Sequence, residues 1–265
     1  MDRSSIKSSS TPSLYECSLC KDEGGYIQPL RDEFGEIVYD EYTDESGNVK
    51  ARKAREGWAF CSCIQTKKIQ MLFKSSQITD QMRQKGFKNF DVTSAPQAIV
   101  DAKDKAIAYY KAFKEIRNDR RNSIALVGQP GSGKTHLLMA IANTLLHFGT
   151  QVIYFSWVDG FDDLKDNLDK TKEMIYRLQN AEVLFIDDMF KGRKELTDFE
   201  RRTLFAIINH RYLNHLPILV SSERDTDMMC DLDEAIGSRI HEMCRDYMVV
   251  LSGRELNYRL RGESA

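Results

Sequence analysis

The chain has 265 residues and a formal net charge of −2 at pH 7, and 42% of its residues are hydrophobic. This length fits one large domain or two smaller ones, and this hydrophobic content is sufficient for a core. The charge excludes a general electrostatic attraction to nucleic acid, so any DNA contact must come from a local basic patch. No apolar run is long enough to span a bilayer, and the first residues lack the apolar stretch of a signal peptide. We therefore expect a cytoplasmic protein with reduced cysteines and no membrane partner.

The amino-terminal part of the chain holds four of the six cysteines in two short pairs, CSLC and CSC. In a reducing compartment such a cluster indicates metal ligation before it indicates disulfides. Four thiolates match a closed tetrahedral zinc site, although C-x-C is less usual than C-x-x-C and scattered buried cysteines are the alternative. The other two cysteines, Cys230 and Cys244, are expected to be small core residues. The predicted zinc ligands are Cys17, Cys20, Cys61 and Cys63.

The residues between the two cysteine pairs predict a small β-hairpin module. Turn signals at Gly24-Gly25 and Ser46-Gly47-Asn48 separate short β-rich pieces such as Glu36 to Tyr39. Such a segment buries little apolar area by itself, so the metal would supply the missing folding free energy. We predict a disordered serine-rich tail over residues 1–13 and a zinc-binding, partner-interaction domain over residues 14–64.

The next stretch predicts a helical linker over residues 65–100. A helix begins near Ile64, a second short helix ends at Gly86, and FKNFDV follows as an extended segment. Ala102 to Arg117 then has apolar residues at helical spacing and many lysines. Those lysines fit either a contact with nucleic acid or a solvated helix face.

From residue 101 to residue 265 the pattern alternates between strand and helix, which predicts an α/β domain with a parallel sheet covered on both faces. Short apolar runs predict strands at Ile124–Val127, Val152–Phe155, Val183–Ile186, Ile218–Val220 and Met248–Leu251. Helical periodicity predicts helices at about residues 134–147, 160–179, 197–214 and 232–245.

Residues Ala125 to Leu138 read ALVGQPGSGKTHLL, which fills the pattern G-x-x-x-x-G-K-[ST] between a strand and a helix. Residues without a Cβ let successive backbone N–H groups point into one concavity, and the N-terminus of the following helix favours an anion there. Lys134 can reach the β- and γ-phosphates of ATP, and the Thr135 hydroxyl can ligate magnesium. A glycine turn with a surface lysine is the alternative. The predicted nucleotide-binding residues of this loop are Gly128, Gln129, Pro130, Gly131, Ser132, Gly133, Lys134, Thr135 and His136.

The third strand, VLFIDDMF, ends in two acids, Asp187 and Asp188. An apolar strand of this kind delivers its carboxylates to the edge of the sheet where the phosphate loop also lies. Asp187 is predicted to bind the nucleotide through magnesium as the Walker B acid, and Asp188 to orient or deprotonate the attacking water. An Asp-Asp turn with no such role is the alternative.

The order of the strands separates two classes of nucleotide-binding protein. One strand intervenes between the phosphate loop and the Walker B strand, which favours ATPases such as helicases, recombinases and AAA+ proteins over small-molecule kinases. Strand four, PILVSSERD, ends in polar residues where a sensor of the γ-phosphate could lie. Downstream, AIGSRIHEMC offers Arg239 as an arginine finger toward a neighbouring subunit's nucleotide, although an arginine on a helix is more often a surface ion pair.

These motifs resemble the DnaC/DnaI-type helicase loaders and the related IstB transposition ATPases. The matching segments are GQPGSGKTHLLMAIAN, VLFIDDMF, LFAIINHRY, AIGSRIHEM and GRELNYRLR, within about residues 87 to 262. The first 86 residues resemble the zinc-bearing domain of the DnaI branch, which IstB proteins do not carry. The resemblance implies a five-stranded AAA+ fold without a separate helical lid, ATP with Mg²⁺ as ligands, and a role in placing a replicative hexameric helicase on single-stranded DNA. We also expect bound Zn²⁺ and self-association through the ATPase domain. It leaves open a chromosomal or a phage origin.

The family pattern also assigns roles to individual residues. Lys134 and Thr135 become the phosphate and magnesium contacts, Asp187 and Asp188 the Walker B pair, and Arg239 the trans-acting finger. Relatives usually end strand four with Thr-Ser-Asn, whereas this chain has Ser221-Ser222-Glu223. A carboxylate beside a γ-phosphate is unfavourable, so Ser222 takes the sensing role, Glu223 points away, or hydrolysis is slow.

Two functions from different classes follow. The first is an ATP-dependent loader that binds a replicative hexameric helicase and places it on single-stranded DNA. The second is an IstB-like transposition helper or another DNA-remodelling AAA+ regulator. The cysteine module discriminates between them, because it gives the chain a dedicated partner-binding domain. A small-molecule kinase is disfavoured by the inserted strand and by the candidate finger.

Overall fold

A computed structural model describes residues 15–166 and 168–260, and the predicted tail, residues 1–13, lies outside them. The chain divides after Lys68 into two compact units. We call the part up to Lys68 the cysteine unit and the part from Ile69 the sheet unit. Among the described residues, no helix combines the length and the apolar character needed to cross a membrane.

The cysteine unit consists of two antiparallel strand pairs and the start of a helix. The strands are β1 (Gly25–Pro29), β2 (Tyr39–Thr43), β3 (Val49–Ala54) and β4 (Glu56–Phe60); β1 pairs with β4 and β2 with β3, and helix α1 (Cys63–Ser75) follows. The β2–β3 turn forms because the Asp44 carboxylate accepts hydrogen bonds from the amides of Ser46 and Asn48, both at 3.0 Å. The prediction of a β-rich module is therefore confirmed.

One detail of that prediction is wrong. The segment Glu36 to Tyr39 is not a strand, because only Ile37 forms an isolated bridge, with Arg31, and the strand begins at Tyr39. The buried hydrophobic side chains among the described residues of this unit are Cys20 and Cys61. The unit therefore has little apolar core besides its cysteines.

The sheet unit is built on five parallel strands in the order β6-β7-β8-β5-β9. The strands are β5 (Ile124–Gly128), β6 (Val152–Ser156), β7 (Val183–Met189), β8 (Ile218–Ser222) and β9 (Met248–Leu251). The helices are α2 (Asp80–Arg83), α3 (Gln97–Ile116), α4 (Lys134–His147), α5 (Trp157–Asp166), α6 (Leu168–Asn180), α7 (Asp198–Leu213), α8 (Thr226–Leu232) and α9 (Glu234–Cys244). Short 3₁₀ turns cover Phe87–Asn89, Arg245–Tyr247, Arg254–Leu256 and Tyr258–Leu260.

Both faces of the sheet are buried, as the apolar runs predict. Along β5, Ala125 and Val127 belong to one apolar cluster with α5, α6, α7 and α9, whereas Ile124 and Leu126 belong to a second with α3 and α4. Alternation along a strand explains this division, because successive side chains leave opposite faces of the sheet. The predicted α/β fold with five parallel strands is confirmed.

Several helix boundaries differ from those predicted. The helix predicted over residues 160–179 is two helices, α5 and α6, and the Thr171 hydroxyl donates to the Leu164 carbonyl at 2.6 Å across their junction. The helix predicted over residues 232–245 begins at Glu234, because the Asp233 carboxylate caps it and its extended backbone separates it from α8. Helix α3 begins at Gln97, directly after Pro96, earlier than the predicted Ala102.

Much of the stretch predicted as a linker, residues 65–100, packs within the sheet unit. FKNFDV is not fully extended, because Phe87–Asn89 forms a 3₁₀ turn. Phe73, Ile78 and Ile99 lie in the apolar cluster that contains α3 and α4. Much of this stretch therefore belongs to the core of the sheet unit.

The sheet order explains how the acidic motif after β7 and the glycine loop after β5 come together. Strand β8 lies between β5 and β7, so the strand inserted between the two motif-bearing strands is the fourth strand of this sheet in chain order. The strand that intervenes along the sequence, β6, lies at the edge of the sheet instead. Because the strands are parallel, the ends of β5, β7 and β8 share one edge.

Candidate nucleotide site and cysteine cluster

The loop between β5 and α4 is curled by glycines with left-handed backbone angles. Gly128 and Gly131 have φ of +104° and +75°. A Cβ at either position would collide, with the carbonyl of Leu251 and with the side chain of Asn257, respectively. The Gln129 amide donates to the Leu251 carbonyl at 2.6 Å, and the Tyr258 amide donates to the Gly131 carbonyl at 3.0 Å. The loop is therefore packed against the carboxy-terminal segment.

Lys134 is buried at the start of α4. Its ammonium donates to the carbonyls of Gly128 at 2.8 Å and Gln129 at 2.7 Å. Burial lowers the pKa of Lys134, an effect that the negative charges of Glu223 and Asp188 oppose. The loop thus holds a cation at its own mouth, in the position expected for a phosphate contact.

Asp187 accepts hydrogen bonds from three hydroxyl groups. The donors are Thr135 at 2.8 Å and Ser221 at 2.5 Å, both to Oδ1, and Tyr154 at 3.1 Å to Oδ2. Burial, together with the charge of Asp187, raises the pKa of Tyr154, which therefore stays a donor. The predicted magnesium pair, Thr135 and Asp187, is thus brought together, and its hard oxygen donors suit that ion.

Asp188 lies beside Asp187 with φ of +53°. Its backbone amide donates to Ser221 Oγ at 2.8 Å, and its carboxylate accepts a hydrogen bond from Lys191 at 2.6 Å. That hydrogen bond is the main cause that raises the pKa of Lys191. Lys191 was not among the predicted site residues, because a lysine after a strand looks like an ordinary surface charge.

Ser222 faces away from this cluster. It is fully buried, its hydroxyl donates to the Met189 carbonyl at 2.7 Å, and it accepts from the Arg224 amide at 3.1 Å. Ser221 contacts Asp187 instead, and Glu223 lines a cavity beside the phosphate loop. Ser222 therefore does not line the cavity, and Glu223 does not point away from it. The third expectation, slow hydrolysis, stays a prediction.

Arg239 lies on α9, outside the residues that line the cavity. Its guanidinium donates to the Ala235 carbonyl at 2.7 Å and to Asn209 at 3.2 Å, and it stacks over the rings of Phe205 and Tyr212. These contacts hold the Arg239 guanidinium against α7 and α9 of its own chain. A role toward a neighbouring subunit stays a prediction.

The cavity beside the loop has a volume of about 400 Å³. One part of the lining carries Lys134 and Thr135, which suits a phosphate chain, and the other part, which we call the second wall, consists mainly of apolar side chains, which suit a flat base. The sequence reasoning missed the second wall, because its residues come from the predicted linker and from the carboxy-terminal turns. Its members include Phe90, Ala95, Ile99, Leu256, Tyr258 and Arg259.

His136 connects the loop to that second wall. Its Nε2 lies 3.1 Å from the Gly86 carbonyl and 3.2 Å from Asn89 Oδ1, and its ring centroid lies 5.1 Å from that of Phe90. Burial lowers the pKa of His136. The side chain therefore holds the segment before α3 in place as a neutral imidazole that donates from Nε2.

The four predicted zinc ligands form one cluster. Their sulfur atoms all lie within 4.8 Å of one another. Cys17 and Cys61 are 3.7 Å apart, and Cys20 and Cys63 are 3.3 Å apart. A tetrahedral zinc ion about 2.3 Å from each sulfur would separate the sulfurs by about 3.8 Å. The cluster fits a closed zinc site.

Cys17 is placed to carry a thiolate. Backbone amides of Cys20 and Leu19 that face Cys17 lower the pKa of its thiol to about 7. The Asp22 carboxylate accepts from the Cys17 amide at 2.9 Å and pairs with Lys67 of α1 at 3.0 Å. Outside the cluster, Cys244 is fully buried in the core and Cys230 is half-buried.

Residues 63–238 match the family described as IstB-like ATP binding protein. The chain belongs to this family. A relative, Phage-like element PBSX protein XkdC of Bacillus subtilis (strain 168), is 42% identical over 259 residues, covering 96% of this chain and 89% of XkdC. The expected relationship to the IstB ATPases is thus confirmed.

Two solved structures share the fold of this IstB-like chain. The DnaI structure covers 66% of this chain and 95% of its own, at a TM-score of 0.54 and 22% identity. The DnaC helicase loader covers 66% of this chain and 100% of its own, at a TM-score of 0.52 and 19% identity. At these identities the similarity shows the fold alone.

Proposed function

We propose that this protein is an ATPase that binds a replicative hexameric helicase and helps to place it on single-stranded DNA. The observation that carries the proposal is the pairing of two separate sites in one chain. The sheet unit has a phosphate loop with Thr135 hydrogen-bonded to Asp187, and the cysteine unit has a four-thiol cluster. An ATP site joined to a partner-binding module is what a loader requires.

In this proposal the amides of the loop and Lys134 bind the phosphates of ATP, while Thr135 and Asp187 hold Mg²⁺. Magnesium supplies charge neutralisation at the β- and γ-phosphates when it is bound. Ser221 and Tyr154 hold Asp187 in its orientation through the hydrogen bonds described above. Asp188 orients the water that attacks the γ-phosphate.

The cysteine unit, folded around Zn²⁺, provides the surface for the helicase. Ile27 and Trp58 face each other across β1 and β4, and Phe60 lies two residues further along β4. These side chains are 65%, 55% and 82% exposed, respectively. Exposed apolar side chains grouped on a small unit are typical of a protein interface.

Full-length protein tests the helicase partner. We expect size-exclusion chromatography to show a complex with the replicative helicase of the same genome. Trp58→Ala/Phe60→Ala should lose this complex and keep ATP binding, and Tyr176→Ala, an exposed aromatic of the sheet unit, is the matched control. A complex that survives the double substitution would place the helicase surface elsewhere, and no complex with wild type would end the loader proposal.

Arg239 is proposed to reach the nucleotide of a neighbouring subunit when the ATPase domains assemble. Arg239→Ala should then lower ATP hydrolysis without changing ATP affinity. Mixing it with Asp187→Asn should restore part of the activity, because an intact finger would meet an intact site. Failure of every mixing ratio to restore activity would indicate a role within one chain.

The match to the IstB-like family supports a second function, a transposition helper ATPase. The distinguishing result is DNA-stimulated ATP hydrolysis in a protein that forms no complex with the helicase. Stimulation that appears only in the presence of helicase favours the loader.

A further inference from the structure

Lys191 is a cation of the nucleotide cavity to which the proposed function gives no role. Its ammonium lies 2.6 Å from Asp188 Oδ2 and 3.7 Å from Glu223 Oε1. All three side chains line the cavity that the phosphate loop forms. They are 43%, 34% and 38% exposed, respectively, so none is locked by packing.

The surrounding backbone fixes the position of the Lys191 Cα atom. The Lys191 amide donates to the Asp188 carbonyl at 3.0 Å, and φ is positive at both Asp188 and Phe190. This tight turn at the end of β7 places the Lys191 backbone beside the acids, while its four-carbon side chain remains free to move its ammonium.

The observed pairing places the ammonium in competition with the water that Asp188 is proposed to orient. Lys191 occupies Oδ2 of the carboxylate, so only Oδ1 is open to that water, and the ion pair makes the carboxylate a weaker acceptor. Glu223 in the same cavity would repel a γ-phosphate unless a cation neutralises it. One movement of Lys191 from Asp188 toward the phosphate resolves both conflicts.

We propose that Lys191 contacts the terminal phosphate of ATP, and that Glu223 is a positioning residue that keeps the Lys191 ammonium beside that phosphate. Lys191 then reads the presence of the γ-phosphate, the task that a polar residue at the end of strand four was expected to perform. Moving to the phosphate also releases Asp188 for the water. This inference rests on the proposed ATP-binding function.

The test measures affinity for a non-hydrolysable ATP analogue and for ADP, both with Mg²⁺, by calorimetry on the full-length protein. Lys191→Met should weaken the analogue about tenfold or more, as expected for loss of a charge-assisted contact, and change ADP less than about twofold. Lys191→Arg should keep most of the preference. Lys194→Met, an exposed lysine of the same loop that does not line the cavity, is the matched control.

A second variant tests Glu223. In the Lys191→Met background the carboxylate faces the γ-phosphate without its cation, so adding Glu223→Gln should restore analogue affinity to within about threefold of wild type.

The outcomes separate this inference from the proposed function. If wild type binds both nucleotides and Lys191→Met keeps the wild-type ratio of affinities, the role of Lys191 is overturned while the ATP site stands. This outcome includes an equal loss of both affinities, which would indicate that the Lys191 side chain has a structural role. If wild type binds neither nucleotide, both proposals fail.

Discussion

Tyr154 lies beside the predicted Walker B acid Asp187, and no motif of the sequence points to it. It stands on β6, at the edge of the sheet, and its hydroxyl donates to the Asp187 oxygen that neither Thr135 nor Ser221 contacts. A partner of this kind orients a metal-binding carboxylate from behind. The proposed magnesium site therefore draws on three strands, β6, β7 and β8.

Tyr154→Phe removes that donor without changing the packing of the ring. We expect the Mg²⁺ concentration that gives half-maximal ATP hydrolysis to rise about tenfold, the lower range for loss of such an outer partner. Tyr176→Phe, an exposed tyrosine, is the control. An unchanged magnesium dependence would show that Thr135 and Ser221 orient Asp187 sufficiently.

His136 predicts a pH dependence of stability. Because burial lowers its pKa in the folded state, the unfolded chain binds more protons in the window below the ordinary histidine pKa of about 6.5. The free energy of unfolding should therefore fall as pH falls through that value. His136→Gln should reduce this acid loss, as measured by urea unfolding at pH 7.5 and at pH 5.5, with His210→Gln as control. If wild type and His136→Gln lose the same free energy of unfolding between pH 7.5 and pH 5.5, the role of His136 is contradicted.

At the scale of elements, Arg211 connects two parts of the sheet unit. It is fully buried at the end of α7, and its guanidinium donates to the carbonyls of Leu178 and Ala181, both at 2.9 Å, and of Pro217 at 2.7 Å. Burial lowers its pKa, and these carbonyls compensate by accepting its hydrogen bonds. Arg211 thus ties the end of α6 to the residue before β8.

Arg211→Met should destabilise the sheet unit by about 3 kcal/mol or more, because it leaves several buried carbonyls unpaired. Arg202→Met, an exposed arginine of the same helix, should change stability by less than about 0.5 kcal/mol. Urea denaturation measures both, and a cost no larger than the control's would mean that water replaces the guanidinium.

The fold was predictable where one local pattern settles one element. The apolar strands and the glycine loop are of this kind, and their order along the chain already indicates the parallel sheet. The ends of helices were harder to predict. Asp233 is a typical N-cap residue, but the same sequence is also compatible with one helix that continues through it. The apolar wall of the cavity and the Lys191–Glu223 pair join residues distant in sequence, which no local pattern reports.

At the scale of the whole molecule, the two units owe their stability to different sources. The cysteine unit has little apolar core, whereas the sheet unit has two large apolar clusters. The proposed zinc is therefore decisive for one unit and irrelevant to the other.

Cys61→Ser should bind less than the one zinc per chain expected of wild type, as measured by metal analysis of protein never exposed to chelator. It should also lose the helicase complex, while the thermal transition of the sheet unit and its ATP affinity stay as in wild type. Cys230→Ser, outside the cluster, is the control. Zinc absent from wild type would rule the site out, and loss of ATP affinity in Cys61→Ser would show that the units depend on each other.

The packing of the phosphate loop has a consequence for how this protein is made. Phe90 lies against the loop on one side, beside Gly133 and His136, and Leu251, Asn257 and Tyr258 contact it on the other. During synthesis the glycine loop leaves the ribosome more than a hundred residues before the last of these partners does. In a chain still being translated, the phosphate loop therefore lacks the partners on one of its sides until the residues around Tyr258 have been made.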